Sequence, residues 1–325
     1  MRPLALINTI RKVWVSIILR KITTTWEQHN ILSAGAHGGR PGRGTTSATL
    51  PFINMCEHSI QTGQPRYIQS FDMKKAFDTL SPAVKMMGWR RLGVPGHIAQ
   101  YLVNMDIGGG YMVRRPETER LWAEFNGDIA RMQTIPGATF QHQLGSPQGD
   151  VVSPAIWIAV FDILVRALET DAAAVQADYD SFRADEAADQ AGKGISTLDQ
   201  AYIDDLITQA ATAEEIQAKA DLISAFTCVF GITFSVAKLR RMVLNPADEG
   251  STTPFVVHLQ GWEAYTINTA STDKIVNLGA TYDAVLSGKA DLDEVVRYLA
   301  RATAKITACR ATYRAKQEVL ESHVI

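Results

Sequence analysis

Three aspartates have the residue type and the neighbours to do chemistry. Asp72 follows the apolar-rich run Tyr67-Ile68-Gln69-Ser70-Phe71, which reads as a buried strand, so its carboxylate stands at the edge of a sheet. Asp204 and Asp205 are adjacent within Ala201-Tyr202-Ile203-Asp204-Asp205-Leu206-Ile207-Thr208, which reads as a strand, a two-residue turn and a second strand. Two carboxylates side by side in a tight hairpin repel each other, and a bound cation would offset that repulsion. Phosphoryl transfer is the chemistry that combines such groups: two Mg²⁺ ions about 3.5–4 Å apart stabilise the attacking and leaving oxygens. Mg²⁺ takes oxygen ligands and keeps several waters, so a few aspartates suffice and no His or Cys is needed. An aspartate-rich turn without a ligand is the alternative, because Asp tolerates turn conformations well.

The elements that must position these groups can be read on both sides of them. Residues 3–28 have the apolar spacing of an amphipathic helix through Leu6, Ile10, Val13, Ile17 and Trp26. A Gly-rich basic loop follows at His37 to Ala48, and Thr45, Thr46 or Ser47 is placed to cap a helix running to about Ile60. Ser81-Pro82 reads as an N-cap with Pro at the first helical position, opening a helix to about Leu92 that stops at Gly-Val-Pro-Gly. Further helices are expected at 97–105, 153–168 and 213–230, strands within 106–143 and 231–244, and short β segments over 255–283. Residues 171–199 are rich in Ala, Asp and Gln without apolar periodicity and read as a mobile acidic insertion. The tail from Asp291 to about Glu321 reads as helical.

Composition bounds the class of protein. The 325 residues are 46% hydrophobic and 20% charged, an ordinary globular balance. Three cysteines lie far apart, form no metal-spaced cluster and no disulfide framework, and point to an intracellular, reducing compartment, nuclear or cytoplasmic. No apolar stretch reaches the length of a membrane span, so no membrane partner is expected. The net charge of −2 hides an asymmetry: residues 1–150 carry 17 Lys and Arg against 10 Asp and Glu, which leaves the rest of the chain acidic. A phosphoryl-transfer site needs a cationic path for phosphates beside an anionic metal centre; two solvated faces are the plainer reading of the same asymmetry.

The motifs in order carry a family resemblance. Phe-Asp-Met-Lys-Lys-Ala-Phe-Asp at 71–78, Ser-Pro-Gln-Gly-Asp-Val-Val-Ser-Pro at 146–154 and Tyr-Ile-Asp-Asp at 202–205 resemble three successive motifs of reverse transcriptases. Around them, Arg-Pro-Leu-Ala-Leu-Ile-Asn-Thr at 2–9 and His-Gly-Gly-Arg-Pro-Gly-Arg-Gly at 37–44 resemble fingers motifs, with Gly39 in place of an aromatic. Leu-Gly-Val-Pro-Gly at 92–96, Gly-Ile-Thr-Phe-Ser-Val-Ala-Lys at 231–238 and Val-Asn-Leu-Gly at 276–279 continue the series, which spans about residues 1–283. The group it is most similar to is that of non-LTR (LINE-type) retrotransposon enzymes, with group II intron enzymes as relatives.

What the resemblance implies is specific. Asp72, Asp204 and Asp205, with the backbone of Met73, match the binding site of two Mg²⁺ ions, for which Mn²⁺ can substitute. Phe77 matches the aromatic beside the sugar of the incoming nucleotide, which excludes a 2′-OH; the alternative is a core residue. Gln148 and Gly149 match the loop touching the nascent base pair, and glycine there allows close backbone approach. Lys238 matches the lysine that donates a proton to pyrophosphate; a solvated strand-end lysine is the alternative. Arg2 matches a triphosphate-binding arginine, suited by its bidentate fork. Arg40 and Arg43 are expected on the template backbone, and Leu278 and Gly279 at the primer. Arg297, Arg301 and Lys305 recur at helical spacing and could track a duplex, or form a solvated face.

The implied fold is an α+β right-hand polymerase with fingers, a palm of antiparallel strands backed by helices, and a partial thumb. The expected boundaries are fingers at 1–66, palm at 67–81, a fingers/palm connection at 82–140, palm at 141–283 with the insertion at 171–199, and a helical thumb at 284–325. The implied function is RNA-directed DNA synthesis, with an RNA template, a DNA primer and dNTP as partners. The Arg-Pro motif at the very start, the short tail and the lack of an endonuclease, zinc-knuckle or RNase H pattern read as a fragment or degenerate copy of a larger retroelement protein. The alternatives are an inactive RNA-binding remnant, an RNA-dependent RNA polymerase and a structural protein on the same fold.

Overall fold

The computed structural model describes residues 7–74, 76–108, 110–112, 115–141, 143–147, 149–170, 199–246, 255–267, 274–278, 280–283 and 286. Its centre is an antiparallel sheet. β1 (Arg66–Lys74) pairs along one edge with β5 (Asp205–Ala210), which pairs in turn with β4 (Gln200–Tyr202). The other edge of β1 is shared: its first half pairs with β7 (Arg240–Leu244) and its last residues with β6 (Thr233–Phe234). A strand with neighbours on both edges and cover on both faces reads as a nearly continuous buried run, and Tyr67, Ile68, Gln69, Phe71 and Met73 are all buried.

One face of the sheet, through Phe71, Met73, Leu206 and Phe234, joins the main core. That core includes apolar residues of α1 (Thr9–Gln28), α4 (Pro82–Arg91), α5 (Gly96–Ile107), α8 (Val152–Thr170) and α9 (Ala213–Phe230). The opposite face, through Ile68, Ile207, Met242 and Leu244, packs with Phe52 and Cys56 of α2 (Thr45–Thr62) and with Ile275 of β10 (Lys274–Asn277). The expected mixed α+β organisation, an antiparallel sheet with helices on it, is what forms. β8 (Phe255–His258) and β9 (Ala264–Ile267) make a hairpin beside α9, and β10 makes another with β11 (Ala280–Asp283), matching the short β segments expected there.

The helix ends follow local chemistry. The Ser81 side chain accepts from the Val84 amide with Pro82 at the first position, as expected. Thr212 and Glu215 close a capping box at the start of α9, and Gly231 ends it at φ 68°. α1 begins at Thr9 because the Asn8 side chain accepts from the Ile10 amide at 2.8 Å. At α2 the expected cap is corrected: Gly44 is the cap, and Ser47 lies inside the helix, its hydroxyl taking the Gly44 N–H at 3.0 Å.

The larger correction concerns 106–143. Among the described residues there, the strands that form are the two-residue β2 (Gly110–Tyr111) and β3 (Phe140–Gln141). Between them lie α6 (Pro116–Glu124) and the short helix α7 (Ile129–Gln133); a further short helix, α3 (Ala76–Thr79), follows β1. Start signals outweighed the scattered aromatics: Pro116 sits at the first position of α6, and Asp128 accepts from the amides of Ala130 and Arg131. The acidic insertion, apart from Asp199, and the tail from 287 onward fall outside the described residues.

Candidate active site

Strand register brings the carboxylates together. Asp72 near the end of β1 lies directly opposite Asp205 at the start of β5, and Phe71 opposite Leu206. Directly opposed residues send their side chains to the same face about 5 Å apart, where like charges repel. Tyr202 pairs with Asp205, so Ile203 and Asp204 form the two-residue turn between β4 and β5. The Asp205 carboxyl is pushed up to about 6, first by burial and then by the charges of Asp204 and Asp72, against which the Lys238 ammonium acts.

Backbone bonds fix the same spot. The Met73 amide donates to the Asp204 carbonyl at 3.2 Å, and the Ser235 amide donates to the Asp72 carbonyl at 2.8 Å. In an extended strand a residue's carbonyl points to the same side as its own amide, so the Met73 carbonyl also faces the hairpin. Lys238, at the end of a 3₁₀ turn (Val236–Lys238), extends an exposed side chain whose Nζ lies 2.6 Å from Asp72 Oδ2. That hydrogen bond is the largest cause raising the lysine's pKa. Among the described residues no three carboxylate, imidazole or thiol side chains stand arranged as metal ligands. What bears on a cation is the donor chemistry: hard carboxylate oxygens crowded until one of them resists ionisation.

The loop of residues 145–150 is tied to the segment that follows β1 by a buried polar network. Gly145 has φ 77°, and a Cβ there would lie 2.6 Å from Asp78 Cα and 2.7 Å from the Phe77 carbonyl oxygen, so only glycine fits. The Gly145 amide donates to the Leu80 carbonyl and the Ser146 amide to the Phe77 carbonyl, which ties the loop to α3 and the residue after it. Below the loop, Lys85 donates to Asp106 Oδ2 at 3.0 Å and to the Gly145 carbonyl, and the Ser146 hydroxyl donates to the same Asp106 oxygen at 2.7 Å. Arg11 of α1 reaches both Asp106 and Asp150, closing the loop's far end. Gly149 is exposed with φ 101°, a conformation side chains disfavour. Gln148 lies outside the described residues. Phe77 is half-buried in α3, its ring centroid 5.9 Å from that of Trp157.

The Gly-rich loop has an inward role that its basic composition conceals. Arg40 is buried; it grips Glu27 with two nitrogens at 2.8 Å each and donates to the Ser33 and Ala36 carbonyls. Arg43 is half-buried and donates to the Ala34 carbonyl. The Arg40 guanidinium is turned inward rather than held out toward solvent as a template contact would need, and it shapes its own loop. That loop seats on the edge of the hairpin: the His37 amide donates to the Ala201 carbonyl and the Ala201 amide to the Gly35 carbonyl. His37 is buried, and its pKa is lowered to about 4 by burial and by the charges of Arg43 and Arg40.

Leu278 occupies the β10–β11 turn at φ 51°. Arg2, Gly279, Arg297, Arg301 and Lys305 lie outside the described residues. Reading the sequence missed Arg11, Lys85, Asp106, Asp150 and Trp157. One signal was available: Lys85 and Asp106 are charges set among apolar neighbours within helices, and a charge on a buried stripe calls for a buried partner.

A family model described as reverse transcriptase (RNA-dependent DNA polymerase) matches residues 1–282. The chain is 27% identical over 181 residues to the retrovirus-related Pol polyprotein from type-2 retrotransposable element R2DM of Drosophila melanogaster. That alignment takes in 56% of this chain but 14% of the polyprotein. Among solved structures, the chain is similar to apo telomerase from Candida tropicalis truncated from its C-terminal domain, with 12% identity, a TM-score of 0.43, and coverage of 84% of this chain and 44% of that one. It is also similar to Candida albicans telomerase in complex with a TWJ fragment of telomeric RNA, with 14% identity, a TM-score of 0.45, and coverage of 81% and 37%.

Proposed function

The chain belongs to the reverse transcriptase (RNA-dependent DNA polymerase) family, and from that premise we propose that it extends a DNA primer on an RNA template, joining the primer 3′-OH to the α-phosphate of a dNTP. The observation that carries this reading is the register that sets Asp72 against Asp205 with Asp204 in the adjoining turn. We read the sheet of β1, β4, β5, β6 and β7 as the palm of a right-hand polymerase, with fingers at 1–66 and 82–140 and a thumb at 284–325.

Asp72, Asp204, Asp205 and the Met73 carbonyl would hold two divalent cations, Mg²⁺ in the first instance. When bound, these supply charge stabilisation at the attacking and leaving oxygens. The rest of the reading concerns the chain's own groups. Lys238, its pKa raised first by the bond to Asp72, stays protonated at neutral pH and can give the Nζ proton to departing pyrophosphate. Phe77, backed by Trp157, presents a rigid ring against the sugar. The loop carrying Gln148 and Gly149 contacts the nascent pair, held in place by Lys85, Asp106, Arg11 and Asp150. Arg2 and Arg43 remain candidates for triphosphate and template phosphates, Leu278 and Gly279 for the primer, and Arg297, Arg301 and Lys305 for the duplex.

Primer extension with Mg²⁺ and dNTP on an RNA template tests the reading, with Asp204→Asn as the control. Extension by the wild type that falls at least a hundredfold in the variant is expected. A wild type that extends no primer, or one whose extension survives Asp204→Asn, would sink it.

A further inference from the structure

The turn that carries Asp204 is built against the preference of its own residues. Ile203 sits at φ 58° and Asp204 is not in the positive-φ region, the sign pattern of a type II′ turn, whose first central position ordinarily takes glycine. A β-branched side chain there is strained, and such strain persists only where the surroundings over-determine the conformation.

The surroundings do so from two sides. On the carbonyl side, Trp157 of α8 donates its indole N–H to the Ile203 oxygen at 2.6 Å. Trp157 is fully buried, its ring stacked on Phe161 at 5.1 Å and tilted against Phe77 at 5.9 Å. Packing alone would be met by a phenylalanine in the same slot; what the indole adds is one donor, and that donor goes to the turn. On the amide side, Gly38 lies so close that a Cβ on it would stand 2.3 Å from the Ile203 nitrogen. The carboxylate hairpin is thus clasped between the Gly-rich loop and α8.

We infer that Trp157 is a positioning residue for the reaction: its indole N–H, opposed by the backbone of Gly38, holds the Ile203–Asp204 turn in the strained form that presents the carboxylates. The inference deepens the polymerase reading and rests on it for its catalytic part; the holding part can be read without any activity.

The test uses the full chain with Trp157→Phe, which keeps an aromatic ring and removes the donor. Amide hydrogen exchange over residues 200–207 is expected to rise about fivefold or more, with the amides pairing β1 to β7 unchanged. Extension at saturating dNTP is expected to fall roughly tenfold, the size of one lost hydrogen bond to a positioned group, with KM for dNTP within about twofold. Unchanged exchange in the hairpin overturns the inference whatever the extension rate. So does loss of protection across the whole sheet, which would mean plain destabilisation. Faster hairpin exchange with an unaltered extension rate overturns the catalytic part. A wild type that fails to extend at all defeats the polymerase reading instead, and the exchange measurement still decides whether Trp157 holds the turn. Should Trp157→Phe not fold, Gly38→Ala presses on the same turn from the other side and is expected to raise exchange in the same amides; if it does not, the clasp is refuted.

Discussion

Phe77 is where the polymerase reading becomes a statement about substrate. Its ring rests on Trp157, and the neighbouring backbone is locked by the Ser146 amide, so it has little freedom to lean away from an added hydroxyl. Phe77→Val is expected to raise the ratio of rNTP to dNTP incorporation at least about tenfold while dNTP extension changes little, because a removed clash adds no new contact. Paired kcat/KM values for a dNTP and its rNTP counterpart on one template measure it, and an unchanged ratio would return Phe77 to the core. The three aspartates stood out as candidates in the sequence because carboxylates at a strand end and paired in a tight hairpin are unusual, and Phe77 stood out by its place in the motif after Asp72. Trp157 did not. In sequence it is one more apolar residue on an amphipathic helix, and only the turn of a distant hairpin gives its N–H a purpose. Arg40 misled in the opposite direction: a basic residue in a Gly-rich loop suggests phosphate, yet its donors go to Glu27 and to main-chain carbonyls.

At the scale of elements, two devices hold the loops around the site. The first is the buried pair of Lys85 on α4 and Asp106 on α5, which together fix Gly145 and Ser146. Lys85→Met leaves Asp106 buried with fewer partners and is expected to cost about 3–5 kcal/mol, whereas Lys85→Met with Asp106→Leu should recover part of that loss, since removing both charges avoids an unpaired one. Urea unfolding of the single and double variants decides it; a double variant no more stable than the single would show that the pair has no such coupling. The second device is His37, buried under Arg40 and Arg43 where the Gly-rich loop meets β4. Its pKa is lowered to about 4 in the folded chain against 6.5 for the free side chain. A histidine depressed in this way contributes stability that is present above pH 6.5 and is lost as pH falls toward 4, by at most about 3 kcal/mol. His37→Gln is expected to flatten that part of the acid dependence, read as the difference between wild-type and variant unfolding free energies at pH 7 and pH 4.5. Helix periodicity and caps made most elements legible. The strands expected over 106–143 failed because a Pro at a first helical position and an aspartate cap speak more directly to the backbone than scattered aromatics do.

For the whole molecule the question is where the positive charge faces. Residues 1–150 hold 17 basic and 10 acidic side chains, and a total of that kind can be misleading if the cations point inward. Several do: Arg11, Arg40 and Lys85 are taken up inside the fold. Each, however, is matched there by an acid, through Asp150, Glu27 and Asp106 respectively, so these internal sets are neutral. Arg66 is buried as well, but among the remaining residues of the segment Arg20, Lys21, Lys74, Arg90, Arg115, Arg120 and Arg131 are exposed. A surface of this kind should bind a primer–template duplex chiefly by releasing counterions. With about four phosphates neutralised, affinity is expected to fall roughly a hundredfold between 50 and 200 mM salt. Fluorescence anisotropy across that range measures the slope. Reversing Lys21 and Lys74 to glutamate should weaken binding at low salt and flatten the slope, while Arg40→Lys, which disturbs an inward arginine, should leave the slope as it is. A slope near zero in the wild type would mean that the basic half of this chain does not face nucleic acid, and the template-binding part of the polymerase reading would go with it.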